Sequence, residues 1–131
     1  MTQMNYPETK YPLQKETYEI IGACMEVHRN LGHGFLEIVY KDALEYEFLQ
    51  NGIPYEHEKK YDVNYKDIVL KHKFYADFVV YDKIILEVKA TNGVATDHFT
   101  RVINYLAASN CKIGLLVNFG EASLYHKRFI L

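Results

Sequence analysis

The stretch Phe74 to Ala90, FYADFVVYDKIILEVKA, narrows the choice of fold more than any other part of the chain. Two runs rich in β-branched and aromatic residues, Phe74 to Val80 and Ile84 to Val88, flank Tyr81-Asp82-Lys83. That pattern predicts a β-hairpin with a short loop. Centring the hairpin on Asp82 sets its register, with Val80 opposite Ile84, Val79 opposite Ile85, Phe78 opposite Leu86 and Asp77 opposite Glu87. Side chains alternate with period two, so Asp77, Glu87 and Lys89 fall on one face. Phe78, Val80, Ile84, Leu86 and Val88 fall on the other, and that face is expected to be core.

Like charges directly opposed on antiparallel strands repel, so something must offset Asp77 against Glu87. A divalent cation, a shared proton or the ammonium of Lys89 would each serve. The first gives a metal-dependent hydrolase site, whose hard oxygen ligands suit Mg²⁺ or Mn²⁺. The plainer alternative is a structural ion cluster on a solvated sheet face.

A chain of 131 residues has the length of one domain with a core that needs no disulfide staples. Cys24 and Cys111 lie in apolar surroundings without C-x-x-C spacing and read as buried thiols of a reducing compartment. The formal net charge of −2 excludes a strongly basic nucleic-acid coat protein. Contact with nucleic acid must then use local patches such as Lys59-Lys60, Lys71-His72-Lys73 and Lys127-Arg128. Residues 1–13 read as a loose polar lead with the features of neither a signal peptide nor an anchor. No run approaches the ~18 apolar residues of a transmembrane helix. The expectation is a cytoplasmic protein with no membrane partner, folded as a single domain over residues 14–131.

Leu13 to Leu31 reads as an amphipathic helix stopped at Gly32, and Leu36 to Asn51 as a second, ended by Gly52 with Pro54 beyond. Glu37 falls in the first turn of the second helix, where an acid also simply complements the helix dipole. Tyr55 to Asn64 is the first expected strand, and Lys66-Asp67 turns into a run from Ile68 to Val80. Beyond the hairpin, Thr96 to Ser109 reads as a helix with Thr96 as its N-cap. Lys112 to Asn118 follows as a strand buried on both faces and Leu124 to Ile130 as the last strand. The crossover through the third helix makes the strand at Gly114 parallel to the one carrying Glu87. The expected class is α/β (α+β), a mixed β-sheet flanked by helices in the order ααβββαββ.

Gly34-Phe-Leu-Glu37-Ile-Val-Tyr40 has the spacing G-x-x-E-x-x-Y, and follows Ile21-Gly22-Ala23 and Val27 to Gly32. Ala76-Asp77, then Glu87-Val88-Lys89-Ala90, Asn104-Tyr105-Leu106 and Leu116-Val117-Asn118-Phe119-Gly120 come after it in order. Over about residues 16 to 130 the chain resembles the GxxExxY family of PD-(D/E)xK nuclease-like proteins. The resemblance implies a restriction-endonuclease-like core and a metal site for Mg²⁺ or Mn²⁺. Its ligands would be Glu37, Asp77, Glu87 and the backbone carbonyl of Val88, with Lys89 positioning or activating the attacking water. Tyr40, His98, Arg101 and Tyr105 would surround the substrate. One position departs from the pattern: the family has Gln-x-x-x-Tyr on the helix after the E-x-K strand, and this chain has Arg101-Val-Ile-Asn-Tyr105. A guanidinium donates but cannot accept, so Arg101 would either pair with a site carboxylate, competing with metal, or clamp a phosphate.

The function implied is metal-dependent phosphodiester hydrolysis of nucleic acid, with DNA ahead of RNA as the partner. A non-catalytic nucleic-acid-binding or regulatory module on the same fold is the alternative, and a structural dimerisation unit a third; a homodimer is left open.

Overall fold

A computed structural model describes residues 12–131. The lead expected over residues 1–13 lies, up to residue 11, outside the described residues. Helix α1 spans Gln14–Leu31 and buries Ile20, Ala23, Cys24 and Val27 along one stripe. It ends at Gly32, whose φ of 68° suits a residue without a Cβ and lets its N–H reach the His28 carbonyl. Helix α2, Glu37–Gln50, buries Tyr40, Lys41, Leu44 and Phe48.

Strands β1 (Tyr55–Tyr61), β4 (Phe74–Val80), β5 (Ile84–Lys89), β6 (Ile113–Asn118) and β7 (Tyr125–Ile130) form one sheet in the order β1-β4-β5-β6-β7. All neighbours are antiparallel except β5 and β6, which helix α3 (Thr96–Ser109) joins by the expected crossover. The long run expected from Ile68 to Val80 is broken. Ile68–Val69 (β3) pairs with Asn64–Tyr65 (β2) as a separate ribbon, and β1 stops at Tyr61 rather than Asn64. The cause is the two-residue turn Lys66-Asp67, which folds that segment back on itself before β4 begins. Helix α3 is capped by Ala95, in extended conformation, and Thr96 is already its first helical residue.

Both sheet faces are covered. Helices α1 and α2 enclose Phe78, Val80, Ile84, Leu86, Val88, Ile113, Leu115 and Val117. Helix α3 lays Val102 and Leu106 over Ala76, Val79, Ile85 and Leu116. The face expected to carry only charges is therefore core as well, because the crossover helix must pack back on the sheet it leaves. Cys24 and Cys111 are buried free thiols. No helix among the described residues is long and apolar enough to cross a membrane.

Candidate active site

The hairpin forms as its register predicts: Val80 pairs with Ile84, Val79 with Ile85 and Phe78 with Leu86. Its turn places Tyr81 and Asp82 at φ 58° and 59°, and the Lys83 N–H donates to the Val80 carbonyl. The ladder then stops one pair short of Asp77 and Glu87. Beyond that point β4 continues with β1 and β5 continues with β6, so the sheet splits. The two acids fill the split. The Asp77 N–H donates to Glu87 Oε2 at 3.0 Å, and the Val88 N–H donates to Asp77 Oδ2 at 2.8 Å. Each carboxylate thus accepts from the backbone of the opposite strand, where the expected direct pairing would have set acid against acid.

A second irregularity aims Asp77. Tyr55 packs in the core under α1 and α2 while Tyr61, of the same parity, packs under α3; Phe78 and Ala76 divide in the same way. Both strands lose one step of alternation between these residues, at Glu58 and Asp77. Glu58 takes φ 54°, a conformation costing a non-glycine residue about 1–2 kcal/mol. The slip turns the Asp77 carboxylate into the gap between the strands, towards both the Val88 amide and α2.

From α2 comes a residue that the sequence reading left out. The Lys41 ammonium lies 2.8 Å from Asp77 Oδ1, 3.1 Å from Glu37 Oε2 and 3.6 Å from Glu58 Oε2. Its side chain is only 10% exposed. Burial opposes its charge, but hydrogen bonds and Coulomb attraction from Asp77 and then Glu37 outweigh it and hold the ammonium above the ordinary lysine range. The cation facing Asp77 is therefore Lys41, a candidate that did not figure in the sequence reading. A signal was present, since Glu37 and Lys41 are spaced i,i+4 on a row that also carries Leu44 and Phe48. Its meeting with Asp77, thirty-six positions away, left no local trace.

Glu87 is 3% exposed, and burial, followed by the charge of Asp77, pushes its carboxyl up to about 8. The Asp77 amide, Lys89 and Lys41 oppose that shift. Its one hydrogen bond among the described residues comes from Asp77. A buried acid so sparsely partnered, beside a second carboxylate, is a donor set suited to a hard divalent cation. No group of three or more His, Cys, Asp and Glu among the described residues stands close enough to hold an ion at once, and Glu37, the third acid of the expected set, is paired with Lys41.

The other candidates divide. Tyr40 is wholly buried, its hydroxyl donating to the Gly32 carbonyl at 2.7 Å and accepting from the Phe35 N–H at 3.2 Å, its ring stacked on Phe119. It ties the α1–α2 connection rather than facing a substrate. His98 accepts from the Ala95 N–H at the start of α3, and burial, Lys89 and Arg101 lower its basicity. Tyr105 stacks on Phe74 and titrates higher than an ordinary tyrosine through burial and the charge of Glu87. Arg101 is exposed, makes no ion pair among the described residues, and lines an open recess with Asp97, Thr100, Asn104 and Tyr105. The competition for carboxylates that was one of two roles open to Arg101 thus falls to Lys41.

The Lys89 end of β5 is anchored by wholly buried Asn118. Its amide accepts from the Thr91 and Gly120 N–H groups and donates to the Thr91 carbonyl and Glu121 Oε2. Gly120 passes so close that a Cβ would lie 2.1 Å from the Thr91 oxygen.

Comparison with known proteins places this geometry. The model of the PD-(D/E)XK nuclease superfamily matches residues 14–129. The chain belongs to this superfamily. Its sheet of five strands flanked by helices is the restriction-endonuclease-like arrangement of PD-(D/E)XK proteins. The solved structure of SSO0001 superposes with a TM-score of 0.59 at 18% identity, covering 95% of this chain. The chain spans 59% of the length of that structure, and at this identity the likeness concerns the fold alone. Among curated proteins none matches. In this PD-(D/E)XK chain, Asp77 meets Glu87 and the Val88 amide in the split between β4 and β5.

Proposed function

We infer that the chain is a divalent-metal-dependent nuclease of the GxxExxY type, acting as one domain over residues 14–131. What carries this reading is the pair Asp77 and Glu87, two acids in the split of a sheet, the second nearly without solvent. Glu37, Asp77, Glu87 and the Val88 carbonyl would hold Mg²⁺ or Mn²⁺. When bound, the metal supplies Lewis acidity toward a phosphoryl oxygen and a lowered pKa for water. Lys89 stabilises charge developing on the phosphate and orients the attacking water. Arg101, exposed beside Tyr105, clamps a flanking phosphate of the nucleic acid. Among the described residues its freedom from carboxylate partners supports the clamp over the competitor.

The test is cleavage of duplex, branched and single-stranded DNA and of RNA, with Mg²⁺, Mn²⁺ or EDTA. Cutting is expected only with metal, and Lys89→Ala and Asp77→Asn are expected to abolish it while the protein stays folded. Wild-type protein that binds nucleic acid and metal yet cuts nothing would leave the second reading, a binding module on the same fold. The observation favouring that module is the pairing of Lys41 with Asp77.

A further inference from the structure

Three carboxylates, from β1, α2 and β4, converge on one buried ammonium at the site where the proposed metal must enter. Asp77 is committed through both oxygens, Oδ1 to Lys41 and Oδ2 to the Val88 amide. The amide is fixed in the strand. Lys41 is not so fixed, because its ammonium already has Glu37 at 3.1 Å and Glu58 at 3.6 Å as further partners. An ammonium and a divalent cation sharing Asp77 Oδ1 would stand only about 4 Å apart in a weakly screened pocket and repel strongly.

We propose that Lys41 is the resident counter-ion of this carboxylate site, alternating with a divalent cation as the partner of Asp77. When metal enters, Lys41 releases Asp77 and Glu37 and rests on Glu58, and when metal leaves it returns. Without an ammonium there, Asp77 would face Glu37 and Glu58 uncompensated. Lys41 thus keeps the metal-free protein folded and sets how much metal is needed to load it. It is a positioning residue, touching neither substrate nor reacting atoms. The inference rests on the proposed metal site.

The experiment uses Mn²⁺ or Mg²⁺ alone, without nucleic acid. Mn²⁺ affinity is measured by calorimetry for the wild type, Lys41→Met and Lys41→Arg. Lys41→Met is expected to bind Mn²⁺ about ten- to a hundred-fold more tightly, the worth of one charged hydrogen bond no longer broken. Lys41→Arg, which keeps the charge, is expected to bind no more tightly than the wild type. Melting temperatures should show the reverse balance, Lys41→Met melting lower in EDTA and gaining more from Mg²⁺. Should Lys41→Met fail to fold, the wild type decides. With ¹⁵N-labelled protein, the Lys41 side-chain signal, assigned by its loss in Lys41→Arg, is followed during a Mg²⁺ titration. It is expected to shift in step with the amides of Asp77 and Val88. A Lys41 signal that stays put while those amides titrate, or a Lys41→Met affinity no tighter than wild type, would overturn the counter-ion role and leave the metal site standing. Absence of metal binding at Asp77 in every variant would overturn both.

Discussion

Glu87 carries the largest electrostatic cost in the site, a carboxyl raised to about 8 by burial and by Asp77. Glu87→Gln keeps an acceptor for the Asp77 N–H and removes the charge. Wild-type stability falls as pH rises from about 4.5, where the unfolded carboxyl ionises, and the loss is complete by about 8, where the folded one does. At that pH and above the variant is expected to melt several degrees higher in EDTA and to lose all stabilisation by Mg²⁺, both read by thermal melting. Asn118 is the opposite case, a polar group whose four bonds are all made inside the protein. Asn118→Ala strands the buried partners and should cost about 1–3 kcal/mol in urea unfolding. Gly120→Ala drives a methyl into the Thr91 backbone. It should lower stability in urea unfolding, because the atoms it meets are backbone and must move, and that movement lies beside the strand end that carries Lys89. The meeting of Asp77 and Glu87 was legible in the sequence because a short hairpin fixes their spacing. Lys41 was not, because a lysine four residues after a glutamate on a helix is ordinarily a surface pair, and only tertiary packing brings Asp77 to it.

At the scale of elements, apolar periodicity marked α1, α2, α3 and the buried β6 to within a residue or two, and the hairpin register followed from its loop length. The half-turn in β1 and β4 left no mark, because Tyr55–Tyr61 reads YEHEKKY and offers no row of apolar residues from which a change of face could be detected. Its energetic signature is the φ of Glu58. Glu58→Gly should match or exceed wild-type stability, since the half-exposed contact with Lys41 is worth little and the strain is relieved. Glu58→Val, a β-branched residue in that conformation, should lose about 1–2 kcal/mol; urea unfolding compares the two. On α3, Arg101→Gln should weaken nucleic-acid binding and make its logarithmic salt dependence shallower by about 0.7–0.9, one phosphate contact, as read by titration at several salt concentrations.

Across the whole molecule, one sheet serves two cores, and β5 and β6 belong to both. Leu44→Ala under α2 and Leu106→Ala under α3 should each cost about 2–5 kcal/mol, yet each should unfold in one transition monitored alike by circular dichroism and tyrosine fluorescence. The split between β4 and β5 persists inside this well-packed body because Asp77 and Glu87 take hydrogen bonds from the backbone on either side of it. The groups proposed to do the chemistry are therefore also the ones that hold the two strands apart. Replacing both by valine would let the strands zip together, so that removing the proposed chemistry in this way would also close the split. A substrate trap made from this protein should instead carry Lys89→Ala, which removes the ammonium proposed for the reaction and leaves both strand-bridging carboxylates in place.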